Sequence, residues 1–339
     1  MSKRARKGNC TDVGQAFQPD VRPESLTYPF SRRHFLATAG AGAAAATCSI
    51  GPVQELLAAA PEPAKSSPDG TWLTYAVNIE MTWGKLPYPD RIRKVKEAGF
   101  SHYEFWPWRG KDIDAIHKLN LELGLTPAQF SASPVKGFGH GITNPDPARR
   151  EEFEEEIRSA LPAARKLGVK KLCVVAGEET KGYSRDEQTT AVIAALKAGA
   201  KIVEPEGITI ILEPLNILVD HPHQLVVHSS HAADILKAVG SPNVKMLFDI
   251  YHQQISEGNL TGNIRKYHDL IGYFQLADHP GRHEPTTGEI NYAFVLRTIH
   301  DVGYRDPIGM EMSAKSDPSA AFKAMREVDA VARGLKGTA

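Results

Sequence analysis

From Thr71 to the end of the chain, short apolar runs alternate with longer amphipathic ones. This alternation constrains the fold more than any other feature of the sequence. Short runs rich in β-branched and aromatic residues read as strands, and longer runs with apolar residues every three to four positions read as helices. Strands are expected near residues 73–77, 102–106, 127–132, 171–176, 209–212, 244–248, 273–276 and 308–312. Helices are expected around 89–98, 112–123, 147–167, 186–204, 230–239, 260–270 and 292–302, with a last one after Asp317. In the 147–167 segment Phe153, Ile157, Leu161, Ala164 and Leu167 share a face, and Pro162 should kink or split it. Asp317-Pro318 offers a capping side chain followed by proline at the first helical position, ahead of a stripe of Ala321, Met325, Val328, Val331 and Leu335.

Strands alternating with helices imply a parallel sheet, and eight such units over residues 71–335 imply a closed (β/α)8 TIM barrel in a single domain. The alternative is an open doubly wound sheet, which calls for a glycine-rich phosphate loop after the first strand. Asn78-Ile79-Glu80-Met81-Thr82-Trp83 stands there instead.

The first sixty residues are of a different kind. Ser31-Arg32-Arg33-His34-Phe35-Leu36 precedes an uncharged Ala/Gly-rich run to Val53, and Ala58-Ala59-Ala60 follows. Paired arginines, a weakly apolar segment and small residues at a cleavage point read as a twin-arginine export signal within an N-terminal extension, residues 1–60. Residues 61–70 are then a linker. Residues 1–30 lack apolar periodicity and fit a long leading region or an over-extended start. The expected location is periplasmic or equivalent, with an uncleaved membrane anchor as the alternative. Alanine and glycine make the run too weakly hydrophobic for a stable span to be expected after signal removal.

Charge is balanced, at 40 basic and 40 acidic residues, so no basic field points to nucleic acid. Cys10, Cys48 and Cys173 are too scattered for a disulfide framework or a zinc knuckle. A protein exported already folded, with its metal loaded, needs no disulfides.

Active sites of such barrels lie where the strands end. Glu213 ends the fifth expected strand and Asp249 the sixth, while Gln275 lies in the seventh and Glu311 in the eighth. Each is about one βα unit from the next, so four consecutive strands offer one oxygen ligand each to a common point. Three carboxylates converging there repel one another unless a cation lies between them. All-oxygen ligation suits a hard divalent ion, Mg²⁺ or Mn²⁺, whereas zinc usually takes histidine or cysteine. The competing reading makes each acid a separate structural group paired with a basic residue.

The run Phe248-Asp249-Ile250-Tyr251-His252-Gln253-Gln254-Ile255, with Glu257-Gly258 beyond it, resembles the sixth-strand motif of hydroxypyruvate isomerases. Gln275-Leu276-Ala277-Asp278-His279-Pro280-Gly281-Arg282-His283-Glu284-Pro285, continuing through Gly288-Glu289-Ile290-Asn291-Tyr292, resembles their seventh-strand motif. Leu212-Glu213-Pro214-Leu215-Asn216 resembles their fifth. The resemblance covers about residues 73–335 and places the chain with the wider xylose-isomerase-like barrels of sugar isomerases and epimerases. It implies that Glu213 and Glu311 are both metal ligands and the acid/base pair of an enediolate isomerisation, hydroxypyruvate to tartronate semialdehyde. It further implies that His252 hydrogen-bonds a substrate oxygen. Arg282 is the best candidate to hold a substrate carboxylate, with pairing to Glu284 or Glu289 as the alternative.

Glu104, at the end of the second strand, fits a substrate contact or a structural hydrogen bond equally well. Glu178, His221, His223 and His279 are expected on loops, although His221 and His223 also suggest a second metal. Trp83, Trp106 and Trp108 should wall the pocket or pack a homo-oligomer interface. Two segments depart from the family pattern: Ile217-Leu218-Val219-Asp220-His221-Pro222-His223, and Met312-Ser313-Ala314-Lys315. Both overhang the expected substrate position. The substrate is therefore read as a small hydroxy-keto acid or sugar. A ketose 3-epimerase or other sugar isomerase, and an exported non-catalytic sugar-binding barrel, are the alternatives. An endonuclease would need more strand-end histidines and a basic face.

Overall fold

The computed structural model describes residues 70–133 and 141–337. The export signal and nearly all of the linker lie outside the described residues. Eight parallel strands close in sequence order, β1 pairing with β8. They are β1 (Tyr75–Asn78), β2 (His102–Phe105), β3 (Thr126–Ser131), β4 (Lys171–Val175), β5 (Thr209–Glu213), β6 (Val244–Asp249), β7 (Ile271–Leu276) and β8 (Ile308–Met310). Ten helices surround them among the described residues: α1 (Ile79–Trp83), α2 (Tyr88–Glu97), α3 (Ile113–Leu123), α4 (Pro147–Leu167), α5 (Arg185–Val203), α6 (Ser229–Val239), α7 (Ile250–Ser256), α8 (Leu260–Tyr267), α9 (Tyr292–Asp301) and α10 (Pro318–Gly334). No helix among the described residues is long and apolar enough to cross a membrane.

Side chains alternate between the two faces of a strand. On β4 to β7 one parity packs Cys173, Ile211, Leu247 and Tyr273 into a small cluster inside the barrel. The other parity, including Ile210, Leu212, Met246, Phe248, Phe274 and Leu276, joins the larger core. Capping explains several helix starts. Asp112, Asp146 and Asp317 accept backbone N–H groups of their own first turns, and Ser184 forms a reciprocal box with Glu187.

Three local expectations need correction. Pro162 does not split α4, which runs unbroken from Pro147 to Leu167. Pro162 faces solvent, so the carbonyl that its missing N–H leaves unbonded can be hydrated. Glu311 lies one residue beyond β8, whose ladder ends at Met310. The helix expected over 260–270 ends at Tyr267 and tightens into one 3₁₀ turn over His268–Leu270.

Candidate active site

The period of two that builds the barrel interior also builds the site. Glu213, Asp249 and Gln275 each stand two residues after an inward-facing core residue, Ile211, Leu247 and Tyr273. Glu311 stands two residues after Gly309 in the same way. In the ladders Asp249 pairs with Gln275, and Gln275 with Gly309. Glu213, Asp249, His252 and Glu311 are buried, and each offers an atom within 4.8 Å of the others.

Asp249 has two tasks. It caps α7 by accepting the Tyr251 N–H at 2.9 Å through Oδ1, which leaves Oδ2 facing the site. The helix it starts carries His252 in its first turn, with Nε2 3.5 Å from Asp249 Oδ2 and 3.9 Å from Glu213 Oε1. Arg282 comes from the loop after β7, at a positive φ of 56°. Asp278 anchors that loop by accepting the backbone N–H groups of His279, Thr286, Gly288 and Ile290. A Cβ at Gly288 would stand 2.2 Å from the His279 carbonyl oxygen, so the loop closes only with glycine there. Arg282 Nη2 donates to Glu311 Oε2 at 2.6 Å and to Asp249 Oδ2 at 3.2 Å. It pairs with the site acids rather than with Glu284 or Glu289.

Glu104 lies beneath this cluster and does not line the cavity above it. Its carboxylate is fully buried and accepts from Asn78, Gln129, Tyr273 and Gln275. The structure therefore favours the structural hydrogen bond over the substrate contact. The 2.8 Å bond from Gln275 Nε2 fixes the amide, and Gln275 Oε1 is left buried without a partner. A buried carbonyl oxygen with no donor is costly. Beside three carboxylates, it fits a hard cation that takes oxygen ligands. Glu213, Asp249, Gln275 and Glu311 could thus hold such an ion.

The electrostatics agree. Burial pushes the Glu213 carboxyl well above the usual range, reinforced by Glu311 and Asp249. Burial raises Asp249 to about 7 against the opposing charge of Arg282, and raises Glu311 to about 7 in the same balance. Three adjacent carboxyls cannot all ionise on one guanidinium, so they hold protons until a stronger cation replaces them. Burial, with the charges of Arg282 and His221, lowers His252 well below the usual histidine range and keeps the ring neutral.

A cavity of about 470 Å³ opens above the cluster. Glu213, Gln275, Arg282, Glu311 and His252 line its floor, and Trp106, Pro107, Arg109 and Glu156 form part of its wall. His221, expected on a surface loop, instead lines this cavity, its ring centroid 5.4 Å from that of His252. His223 is exposed. Trp106 is at the cavity as expected. Trp108 and Trp83 do not line it: Trp108 donates to Glu156 at 3.1 Å and stacks under Arg109, and Trp83 packs edge-on against Phe322. Arg109 and Glu156 escaped the sequence reading because their pairing at 2.8 Å joins residues 47 apart, with no motif at either position. Cys173 lies within the fourth expected strand, with no role at the site read from sequence. It also lines the cavity, with Sγ 3.4 Å from Glu213 Oε2.

Residues 92–332 match the model of the xylose isomerase-like TIM barrel family. Hydroxypyruvate isomerase of Escherichia coli is 31% identical over 259 residues, which are 75% of this chain and 98% of the relative. The 2-oxo-tetronate isomerase of Pectobacterium atrosepticum is 31% identical over 243 residues, 71% of this chain and 92% of the relative. Among solved structures, a family 2 AP endonuclease from Brucella melitensis superposes with a TM-score of 0.69 at 30% identity, covering 74% of this chain and 96% of that one.

Proposed function

Because this chain belongs to the xylose isomerase-like TIM barrel family, we propose that it is a metal-dependent isomerase interconverting hydroxypyruvate and tartronate semialdehyde. The observation that carries the reading is the convergence of Glu213, Asp249, Glu311 and the unpartnered Gln275 oxygen beneath His252 and Arg282. Its similarity to named isomerases over most of their length supports the reaction class.

The reaction moves a carbonyl between adjacent carbons. One of Glu213 and Glu311 takes a proton from the hydroxyl-bearing carbon, and the electrons form an enediolate. The other returns a proton to the neighbouring carbon, while the hydroxyl proton passes to the former carbonyl oxygen. Both carboxyls line the cavity, where they can reach a bound substrate. His252 Nε2 donates to a substrate oxygen, and Arg282 turns from Glu311 and Asp249 far enough to hold the substrate carboxylate. Glu213, Asp249, Gln275 and Glu311 would hold the divalent ion, Mg²⁺ or Mn²⁺, whose charge stabilises the developing oxyanion.

The cavity favours a second reading alongside the first. At about 470 Å³ the cavity has room for more than a three-carbon acid. A longer substrate, a four-carbon 2-oxo acid or a ketose undergoing 3-epimerisation, fits that space through the same proton transfer. Solvent exchange in heavy water, with Mg²⁺ or Mn²⁺, separates the two. Deuterium entering hydroxypyruvate but not 2-oxo-tetronate or ketoses supports the first reading, and the converse supports the second. No exchange with any of them, despite bound metal, sinks both and leaves a non-catalytic sugar-binding barrel.

We also propose that residues 1–60 direct export through a twin-arginine signal. Exchange of Arg32 and Arg33 for lysine should retain the protein in the cytoplasmic fraction, and unchanged export would refute the signal.

A further inference from the structure

The loop after β5 is organised around Asn216, a fully buried residue that the proposed chemistry leaves without a task. Asn216 Oδ1 accepts the backbone N–H groups of Val219 at 3.0 Å and Asp220 at 3.2 Å. Nδ2 donates to Asp220 Oδ2 at 2.7 Å and lies 2.6 Å from His252 Nδ1. This orientation of the amide is forced. Turned over, it would set oxygen against the Asp220 carboxylate and nitrogen against two N–H groups. The backbone N–H of Asn216 also points at His252 Nδ1, at 3.5 Å. Two donors therefore face Nδ1, and a backbone N–H cannot act as an acceptor.

We propose that Asn216 is a positioning residue that fixes His252 as the tautomer with its proton on Nε2. A neutral imidazole has one donor nitrogen and one acceptor, so an accepting Nδ1 leaves the proton on Nε2. That nitrogen faces the site. Arg282 Nη2 lies 3.3 Å away, but its two protons go to Glu311 and Asp249, so this is a contact between two donors and not a hydrogen bond. The Nε2–H is left to project toward the cavity and donate to a substrate oxygen. It also keeps Nε2 from ligating a cation, although the nitrogen stands within reach of the carboxylates. With the opposite tautomer the ring would add a nitrogen ligand and lose its donor. The proposal rests on the isomerase reading for the purpose of the donor, but the ring state is measurable without any substrate.

Full-length protein labelled with ¹⁵N at histidine and loaded with Mg²⁺ alone should show, at a pH where the ring is neutral, a proton on His252 Nε2 and none on Nδ1. A proton on Nδ1 overturns the proposal. The double exchange Asn216→Asp with Asp220→Asn keeps the acceptor for the two loop N–H groups and the bond between the two side chains. It turns the group facing Nδ1 from a donor to an acceptor, while the amide oxygen at position 220 can still accept from the Tyr251 hydroxyl that Asp220 holds. The proton should move to Nδ1, Mg²⁺ should bind more tightly, and kcat should fall roughly a hundredfold or more, since a wrong tautomer can cost about four orders of magnitude. A proton that stays on Nε2, or one that moves without loss of kcat, overturns the proposal. If the double variant does not fold, the wild-type ring measurement decides alone. If no substrate turns over, the isomerase reading fails while the ring measurement still decides this one.

Discussion

Glu104 and Gly309 show how single residues set the site. Glu104 reaches from β2 across the barrel to Tyr273 and Gln275 on β7, and it can do so because Gly309 on β8 has no side chain. A Cβ at position 309 would stand 2.3 Å from Glu104 Oε2 and 2.8 Å from Gln275 Cγ. Gly309→Ala should therefore push the carboxylate aside and release the Gln275 amide. The expected cost is about 1–3 kcal/mol of stability from overpacking, and a loss of roughly 10–100-fold in divalent-ion affinity through the displaced supporting bond. Thermal melting and calorimetric titration with Mn²⁺ measure the two, and unchanged affinity would separate Glu104 from the ion site. Glu213→Gln and Glu311→Gln should each lower kcat by about 10²–10⁴-fold, the usual worth of a general acid or base. Wild-type turnover in either would refute its place in the proton transfer. Glu213 and Asp249 were readable from sequence because each ends a strand. Arg109 and Glu156 were not, because nothing in either local segment announces their meeting.

At the scale of elements, the strands matter through their parity. One slip of register would turn Glu213, Asp249 and Gln275 away from the barrel interior and scatter the site. The ladders that fix register are therefore also what makes the acids converge. Helix α7 was not foreseen because it is short, and it begins only where Asp249 supplies a cap at the strand end. That start carries His252 over the cluster. Helix α4 offers a cleaner test of propensity against packing. Its buried face, including Phe153, Ile157, Ala160, Leu161, Ala164 and Leu167, keeps it whole through Pro162. Pro162→Ala should restore the missing hydrogen bond at a small entropic cost in the unfolded chain, for a net gain of about 1–2 kcal/mol. A melting temperature that falls instead would show that the proline relieves a strain elsewhere in α4.

For the molecule as a whole, the buried acid cluster couples stability to pH and to metal. Asp249 and Glu311 hold protons up to about 7 in the folded protein, against about 4 in an unfolded chain. Between those values the folded state binds more protons than the unfolded one. Stability is thus fully present below the lower value and is lost as pH rises through the upper one. Metal-stripped protein should melt at a lower temperature at pH 8 than at pH 6. Added Mg²⁺ should offset that fall, with protons released on binding. A metal-free protein that gains stability between pH 6 and 8 would contradict the assignment of raised carboxyls.

The sequence by itself determined the alternation of strand and helix, and with it the barrel. It also placed one candidate oxygen ligand at the end of each of the fifth and sixth expected strands and within the seventh and eighth, since local periodicity and strand ends are written in consecutive residues. Only the tertiary structure decided how those groups are held: Glu104 beneath Gln275, Asp278 behind the Arg282 loop, Asn216 behind His252, and His221 in the cavity wall. These contacts join residues tens of positions apart, and they exist only once the strands have closed and brought their ends to one mouth.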